Sequence, residues 1–376
     1  MTITRRLEEI AQLQVGFAFK SSGFTRNDND VRLLRGDNIG QGVLRWENAV
    51  RWPADDSVDP RYALRSGDVV IAMDRPWIGA GLKFGTVAER DLPAWLVQRV
   101  ARLRAAPGVD QRYLHYLVAS AEFTAHVLAV QTGTAIPHVS GNQLLSFVCP
   151  DHSLLEQRAI AEVLGALDDK IAANRRVLSC ALELASAMWR KCASTASESK
   201  PLRDVATLHY GKALPAGSRE PGPVDVYGSG GVVGSHTQAL VSGPGVVVGR
   251  KGTAGAVHWA DGPHYPIDTT YWVEGKGSVG AHYLFFALRQ AGLTEMNSDS
   301  AVPGLNRDEA YARPIPVPQS VDHDIFVRQC SALFDLVAQM KRESAALAAS
   351  RDSLLPLLMS GKVRVKDAEK VVEGVV

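Results

Sequence analysis

The stretch Thr134–Gln157 reads TAIPHVSGNQLLSFVCPDHSLLEQ, and Ser300–Gln329 reads SAVPGLNRDEAYARPIPVPQSVDHDIFVRQ. Each opens on a small residue, an aliphatic residue and a proline. Each continues through a polar run, a short apolar run, another proline and the start of a long helical pattern. Proline restricts the residue before it to extended backbone, so a long helix can begin only after this stretch. Pro137 and Pro303 are therefore expected to mark where the chain leaves a globular part and enters a helix, twice.

The repetition extends outward from there. LEEIAQLQVGFAF from Leu7 pairs with LRDVATLHYGKAL from Leu202. Both read as a short amphipathic helix ending in a glycine turn, at Gly16 and Gly211. LRSGDVVIAMDRPWIGAG from Leu64 pairs with LVSGPGVVVGRKGTAGAV from Leu240: a Ser-Gly turn, a buried β-branched run and a Gly-rich loop with cations. VDQRYLHYLVAS from Val109 pairs with VGAHYLFFALRQ from Val279, an aromatic-rich helix. The offset between copies runs from 166 to 195 residues, so loops differ while element order is kept. A period this long indicates duplicated domains rather than a solenoid.

Short β-branched or aromatic runs bounded by turn residues predict strands in the middle of each copy. They are VRLLRG and VVIAM in the first, and VDVYG, GVVVGR, AVHWA and TTYWV in the second. The expected fold class is α+β: two duplicated mixed globules separated by two long antiparallel coiled-coil helices, with pseudo-two-fold symmetry. The expected divisions are 1–153 and 196–321 for the globules, 154–195 for the first long helix, and 322–376 for the second with a C-terminal tail. That tail, KVRVKDAEKVVEGVV, reads as a closing strand or a free end.

The helices carry a seam. Ile160, Leu164, Leu167, Ile171, Asn174, Leu178, Ala181, Ala185 and Met188 recur at alternating spacings of four and three. Phe326, Cys330, Leu333, Val337, Met340, Ser344, Leu347, Arg351, Leu354 and Leu358 do the same. This is a coiled-coil pattern whose polar interruptions can fix register. Helices of about 35 residues are about 50 Å long. They far exceed the mean globular helix and need a partner of their own kind.

Charge decides little. The 376 residues hold 41 Lys and Arg against 40 Asp and Glu. A near-neutral chain still binds nucleic acid if one face is basic. Cys149, Cys180, Cys192 and Cys330 lack metal-pair spacing and suit reduced thiols in the cytoplasm. The opening MTITRRLEEIAQLQ lacks the apolar core of a signal peptide. No apolar run approaches the ~20 residues of a membrane span.

At this point the chain resembles the specificity subunits of type I restriction-modification enzymes, over nearly its whole length. The segment Ile136–Leu167 and SAVPGLNRDEAYARPIPVP from Ser300 carry the resemblance. The family pattern is an aliphatic-proline pair followed by Gln-Arg opening a long helix. Gln157 and Arg158 match it. In the second copy Arg328 and Gln329 stand in reverse order, and Asp322 to Asp324 replace an acidic-Gln pair. The resemblance implies two target-recognition domains, each reading one half of a split DNA site. It implies helices that set the gap and dock two methyltransferase subunits, and through them restriction subunits. It implies no catalysis in this chain, S-adenosylmethionine in the partner methyltransferase, and ATP and Mg in a restriction partner. The docking and spacer residues are then Gln157, Ile160, Leu164, Leu167, Ile171, Asn174, Leu178, Leu333, Val337, Met340, Leu347 and Leu354.

Arg and Lys read guanine, and Asn and Gln read adenine, in the major groove. Loop residues of those types are the candidates. The first copy offers Lys20, Arg32, Arg35, Asn38, Arg75, Trp77 and Lys83. The second offers Tyr210, Lys212, Ser229, His236, Arg250, Lys251, Thr253, Tyr271 and Arg307. GRKGTAG from Gly249 stands out, because its glycines permit close approach while its cations reach phosphate or base.

Enzyme motifs fail. GRKGTAG lacks the G-K-[ST] of a P-loop, and GSGGVVG at Gly228 has Val233 where a dinucleotide fold needs glycine. Asp268, Glu274 and Lys276 could serve a metal-dependent nuclease, but Glu274-Gly275-Lys276-Gly277 reads as a hairpin turn. His115 and His126 fall on helix patterns and suit packing better than catalysis. A coiled-coil scaffold without sequence reading is the third alternative.

Overall fold

LEEIAQLQV and LRDVATLHY each fold as one helical turn followed by a strand. In the computed structural model, Leu7–Ile10 is a four-residue helix and Ala11–Val15 a strand; Leu202–Val205 and Ala206–Tyr210 repeat this. The expected amphipathic helix is thus cut to a single turn. The reason lies in Ala-Gln-Leu-Gln-Val and Ala-Thr-Leu-His-Tyr, which alternate with the period of a strand. Gly16 and Gly211 follow the strands instead of capping helices. A Cβ on Gly16 would lie 2.2 Å from the Val97 carbonyl oxygen, and one on Gly211 would lie 2.1 Å from that of Ile267. Only glycine permits that approach. The structure describes residues 4–79, 81–133, 135–277, 279–296 and 304–373.

The described chain divides into two compact units, Met1–Ile171 with Ala345–Val376, and Ala172–Ser344. They share one topology. In the first, an antiparallel sheet runs in the order Ala11–Val15, Val100–Ala105, Val69–Ala72, Phe84–Thr86. In the second the order is Ala206–Tyr210, Thr270–Gly275, Gly245–Gly249, Val257–Ala260. A three-stranded sheet follows in each. Val31–Leu34 lies between antiparallel Arg51–Trp52 and parallel Ala94–Leu96. Val224–Gly228 lies between antiparallel Gly231–His236 and parallel His264–Pro266. A two-stranded pair completes each unit: Thr4–Arg6 with Val148–Pro150, and Glu198–Pro201 with Pro314–Val317. The strands expected from VRLLRG, VVIAM, VDVYG, GVVVGR, AVHWA and TTYWV are all present.

The aromatic-rich helices Gln111–Ala119 and Ala281–Gln290 pack on the four-stranded sheets. Tyr113, Leu114 and Leu117 join Val69, Ile71 and Leu103 in one core; Tyr283, Leu284 and Phe286 join Val246, Val248 and Tyr271 in the other. The central runs Val69–Ala72 and Val246–Val248 are buried along their whole length, which explains their unbroken apolar sequence.

The long helices are Leu154–Ser194 and Ser320–Met359. Ser153 and Glu156 open the first with a reciprocal cap, Glu156 N donating to Ser153 Oγ and Ser153 N to Glu156 Oε2. Each unit holds the start of one helix and the end of the other, the arrangement that oppositely directed helices give. In the first unit Ile160, Leu164, Leu167 and Ile171 share a core with Leu347, Leu354 and Leu358. In the second, Ala185, Trp189 and Cys192 share one with Phe326, Cys330 and Phe334. There the seam steps one residue from the expected pattern. Trp189 and Phe334 are buried, while Met188 and Leu333 are only partly so, because the helices meet a globule's aromatic face as well as each other.

The C-terminal stretch is neither strand nor free end. Val365–Glu373 is a helix, and Ala368 is buried in the first unit's core. Lys276 is also not in a hairpin turn; the strand ending at Gly275 passes by a turn into the helix Ala281–Gln290.

Candidate nucleic-acid interface

The segment after each proline pins the Gly-rich cationic loop of its own unit. In the first unit Val139 N donates to Met73 O at 2.9 Å, and Arg75 N donates to Pro137 O at 2.7 Å. In the second, Leu305 N donates to Arg250 O at 2.8 Å, and Lys251 pairs with Gly304. The loop's other side is held alike: Met73 N donates to Arg99 O, and Arg250 N to Thr269 O, both at 2.8 Å. The two sequence features quoted separately above therefore meet in space, in both copies. Pro303 lies outside the described residues.

In the second unit the loop carries a cation–aromatic cluster. Tyr210, 50% exposed, has the Arg250 guanidinium 5.3 Å and the Arg307 guanidinium 4.9 Å from its ring centroid. Its ring lies 5.1 Å from that of Tyr271, whose hydroxyl burial, and then Tyr210, push up to about 12. Arg250 also donates from Nε and Nη2 to Asp268 O, at 3.1 and 2.6 Å. Each contact holds an arginine in place before any ligand arrives. Lys251, Lys212 and Thr253 are exposed beside this cluster in sequence and strand order. Gly249 makes the loop tight: a Cβ there would meet Thr253 O at 2.2 Å. Ser229 lines the loop, with its Oγ 3.3 Å from where a Gly252 Cβ would sit, and its carbonyl oxygen is hydrogen-bonded to His258 Nε2 at 2.9 Å. His236 is half-buried on its strand, its Nδ1 accepting from Glu220 N at 3.1 Å.

The first unit's loop is organised by a carboxylate. Asp74 binds Arg99 Nη1 and, at 2.6 Å, His138 Nδ1. Burial opposes its charge, yet the bonds from Arg99 and His138 outweigh that and hold its carboxyl below the usual range. Arg75 follows with φ of 44°, a left-handed backbone that a non-glycine residue adopts only where its surroundings enforce it. Trp77 is 44% exposed on the edge strand Trp77–Ile78. Lys83 is only 8% exposed; burial lowers its pKa, while Asp37 and Asp74 pull the other way.

Several candidates are committed internally. Asn38 accepts from Arg35 N and donates to Arg45 O, so both ends of its amide shape the loop. Arg32 donates to Arg90 O and sits over Trp46. Arg35 lies 3.6 Å from Asp37. Gln157, buried at the start of the long helix, accepts from Asp110 N at 3.0 Å and donates to His152 O at 2.8 Å. Its contacts thus lie within the unit. By contrast, Lys20, Arg75, Lys212 and Lys251 have no side-chain partner among the described residues. All four are exposed. Nothing in the sequence points to Asp74, Arg99 and His138 as a cluster: His138 sits in the post-proline transition, and the φ of 64° at Arg99 has no signature in its neighbours.

Along the seam, Ile160, Leu164, Leu167, Ile171, Val337, Leu347 and Leu354 are buried, and Leu178 and Met340 partly so. Asn174 is buried and donates to Ser344 Oγ at 3.4 Å.

Nothing gathers around the nuclease alternative. Glu274 pairs with His209 at 2.8 Å, Lys276 Nζ donates to Arg203 O, and Asp268 offers its carbonyl oxygen to Arg250. Among the described residues no three His, Cys, Asp or Glu side chains are placed to hold a metal. His115 is packed in its helix against Thr86 Oγ1 at 2.7 Å, and burial lowers its pKa to about 4. His126 Nε2 lies 2.8 Å from Gln143 O. All four cysteines are free; burial pushes Cys149 and Cys192 up to about 11 and Cys330 to about 12, so these thiols are poor nucleophiles. Among the described residues no helix is long and apolar enough to cross a membrane.

No family model matches the chain. It is 36% identical over 173 residues to the specificity subunit of type I restriction enzyme MjaVIII from Methanocaldococcus jannaschii, covering 46% of this chain and 40% of that one. It is 35% identical over 168 residues to the specificity subunit of type I restriction enzyme EcoAI from Escherichia coli, covering 44% and 28%. The matches thus span less than half the length of these relatives. Among solved structures, the S subunit of a type I restriction-modification system from M. genitalium superposes with a TM-score of 0.61 at 17% identity, over 95% of this chain and 96% of that one. The resemblance to type I specificity subunits is therefore present in sequence over part of the chain, and in fold over nearly all of it.

Proposed function

We propose that this chain is the DNA sequence-specificity subunit of a type I restriction-modification system. Each unit reads one half of a bipartite site, and the long helices set the gap between halves. The chain performs no chemistry itself. Two methyltransferase subunits using S-adenosylmethionine dock on it and methylate adenine; restriction subunits using ATP and Mg join through them. The complex works in the cytoplasm.

One observation carries this reading: both units present the same latched loop, with cations on it and an aromatic beside it. Duplicated readers suit duplicated half-sites, because recognition elements on one DNA face repeat at about 34 Å, one helical turn. Loop glycines let the backbone approach DNA, and cations supply phosphate and base contacts. A second pair of equivalent features supports two docking sites. Leu155 is 80% exposed and Val321 68% exposed, at matching positions in the first turn of each long helix.

The test is exchange of residues 1–150 for the matching segment of a relative, followed by genome-wide mapping of methylated adenines. One half of the methylated sequence is expected to change and the other to persist. A change in both halves, or no methylation dependent on this gene, overturns the reading.

A further inference from the structure

The two units fasten to their long helices by opposite chemistry at one equivalent site. In the first, the Tyr116 hydroxyl donates to Asp168 Oδ2 at 2.7 Å, and Arg351 Nη1 donates to Asp168 Oδ1 at 2.7 Å. Arg351 also binds Asp352. Tyr116 is buried on the helix Gln111–Ala119, Asp168 lies on the first long helix, and Arg351 on the second. Equivalence between units follows from matching contacts. Gln157 accepts from Asp110 N, and His323 from Gly280 N, at the foot of each aromatic helix. The same offset of 166 residues carries Asp168 to Phe334 and Ala185 to Arg351. The aromatic helices align Tyr113 with Tyr283, and hence Tyr116 with Phe286. Phe286 and Phe334 rings pack edge to face at 6.0 Å, and Ala185 is fully buried in the same cluster. Where one unit has Tyr, Asp and Arg, the other has Phe, Phe and Ala.

We infer that Asp168 is the positioning residue of the first recognition unit, fixing its aromatic helix on the long-helix pair. This rests on the function proposed above. The helix it holds is coupled to the reading loop. Gln111 bonds Ala105 N and Gly67 O, and His115 bonds Thr86, so the helix and the four-stranded sheet move together. That sheet's strand Val69–Ala72 leads directly into Asp74 and Arg75. Two hydrogen bonds on one carboxylate fix the angle between the three helices, as the packed aromatic rings do at the equivalent site of the second unit. Removing the carboxylate leaves the buried Tyr116 hydroxyl without its acceptor. Recognition of the first half-site depends on this joint; recognition of the second does not.

The experiment uses the assembled methyltransferase complex. Methylation rates are measured on DNA carrying single-base changes in the first or the second half-site. Asp168→Leu is expected to reduce discrimination at the first half-site by about tenfold, within the range one mismatched base pair commands. Discrimination at the second is expected to stay within about twofold. The triple change Tyr116→Phe, Asp168→Phe, Arg351→Ala installs the second unit's chemistry and is expected to restore most of the loss. It also serves if Asp168→Leu folds poorly. Equal loss at both halves, no loss at either, or failure of the triple change to rescue overturns the inference while leaving the two-reader function standing. A parent complex that discriminates at neither half overturns that function itself.

Discussion

Arg250 and Lys251 are neighbours with different preparation. The Arg250 guanidinium is held by Tyr210 and by the Asp268 carbonyl oxygen, whereas the Lys251 ammonium has no partner among the described residues. A prepositioned arginine suits a base edge, and a free lysine suits a phosphate. Lys251→Ala is expected to weaken all sequences alike and to lower the slope of log affinity against log salt by about one. Arg250→Ala is expected to relax one base position, at a cost of about 1–3 kcal/mol. Titrations of the assembled enzyme at several salt concentrations distinguish the two. An unchanged slope in the lysine variant would remove this loop from the DNA. The residue types at this site were legible in GRKGTAG. Asn38 was legible only as an amide, and Gln157 as half of the Gln-Arg pair that opens the first long helix. Asn38's partner Arg45 O lies seven residues on within the same loop, whereas Asp110 N, 47 residues from Gln157, is delivered only by the fold.

Among the elements, strands and aromatic helices followed from local pattern, while the first element of each copy did not. The sequence there reads as a short amphipathic helix up to Gly16, but pairing with Val100–Ala105 makes a strand from Ala11. The first long helix was legible because an absence of proline from Leu155 to Cys192 and a four-three stripe agree over many turns; the second carries the same stripe and continues through Pro356. Their first turns make a direct prediction. Leu155→Asp or Val321→Asp alone is expected to leave one methyltransferase per chain, and both together none. Mass measurement of the purified complex gives the stoichiometry. Two partners retained in the double variant would place docking elsewhere.

For the whole molecule, the proposed function gives the long helices the role of ruler. Inserting seven residues after Ala173 and after Glu343 keeps the seam in phase and adds about 10 Å to each helix. The recognised gap is expected to lengthen by about three base pairs, since each strand of DNA rises 3.4 Å per pair. Methylation mapping reads this out. An unchanged gap would show that something other than helix length sets the spacing. Asn174 and Ser344, hydrogen-bonded beside the insertion points, hold the register that both insertions must preserve.

The sequence by itself determined the duplication, the strands, the long helices and the cation-bearing loops, because each is written in nearest neighbours and short periods. Tertiary structure alone decided that the post-proline segments latch those loops, that Asp74 draws Arg99 and His138 to one carboxylate, and that Asp168 joins Tyr116 to Arg351. Those contacts cross from 25 to 183 residues of chain. Hydrogen bonds depend on distance and angle in space, and a linear pattern holds neither until the sheets and helices have packed.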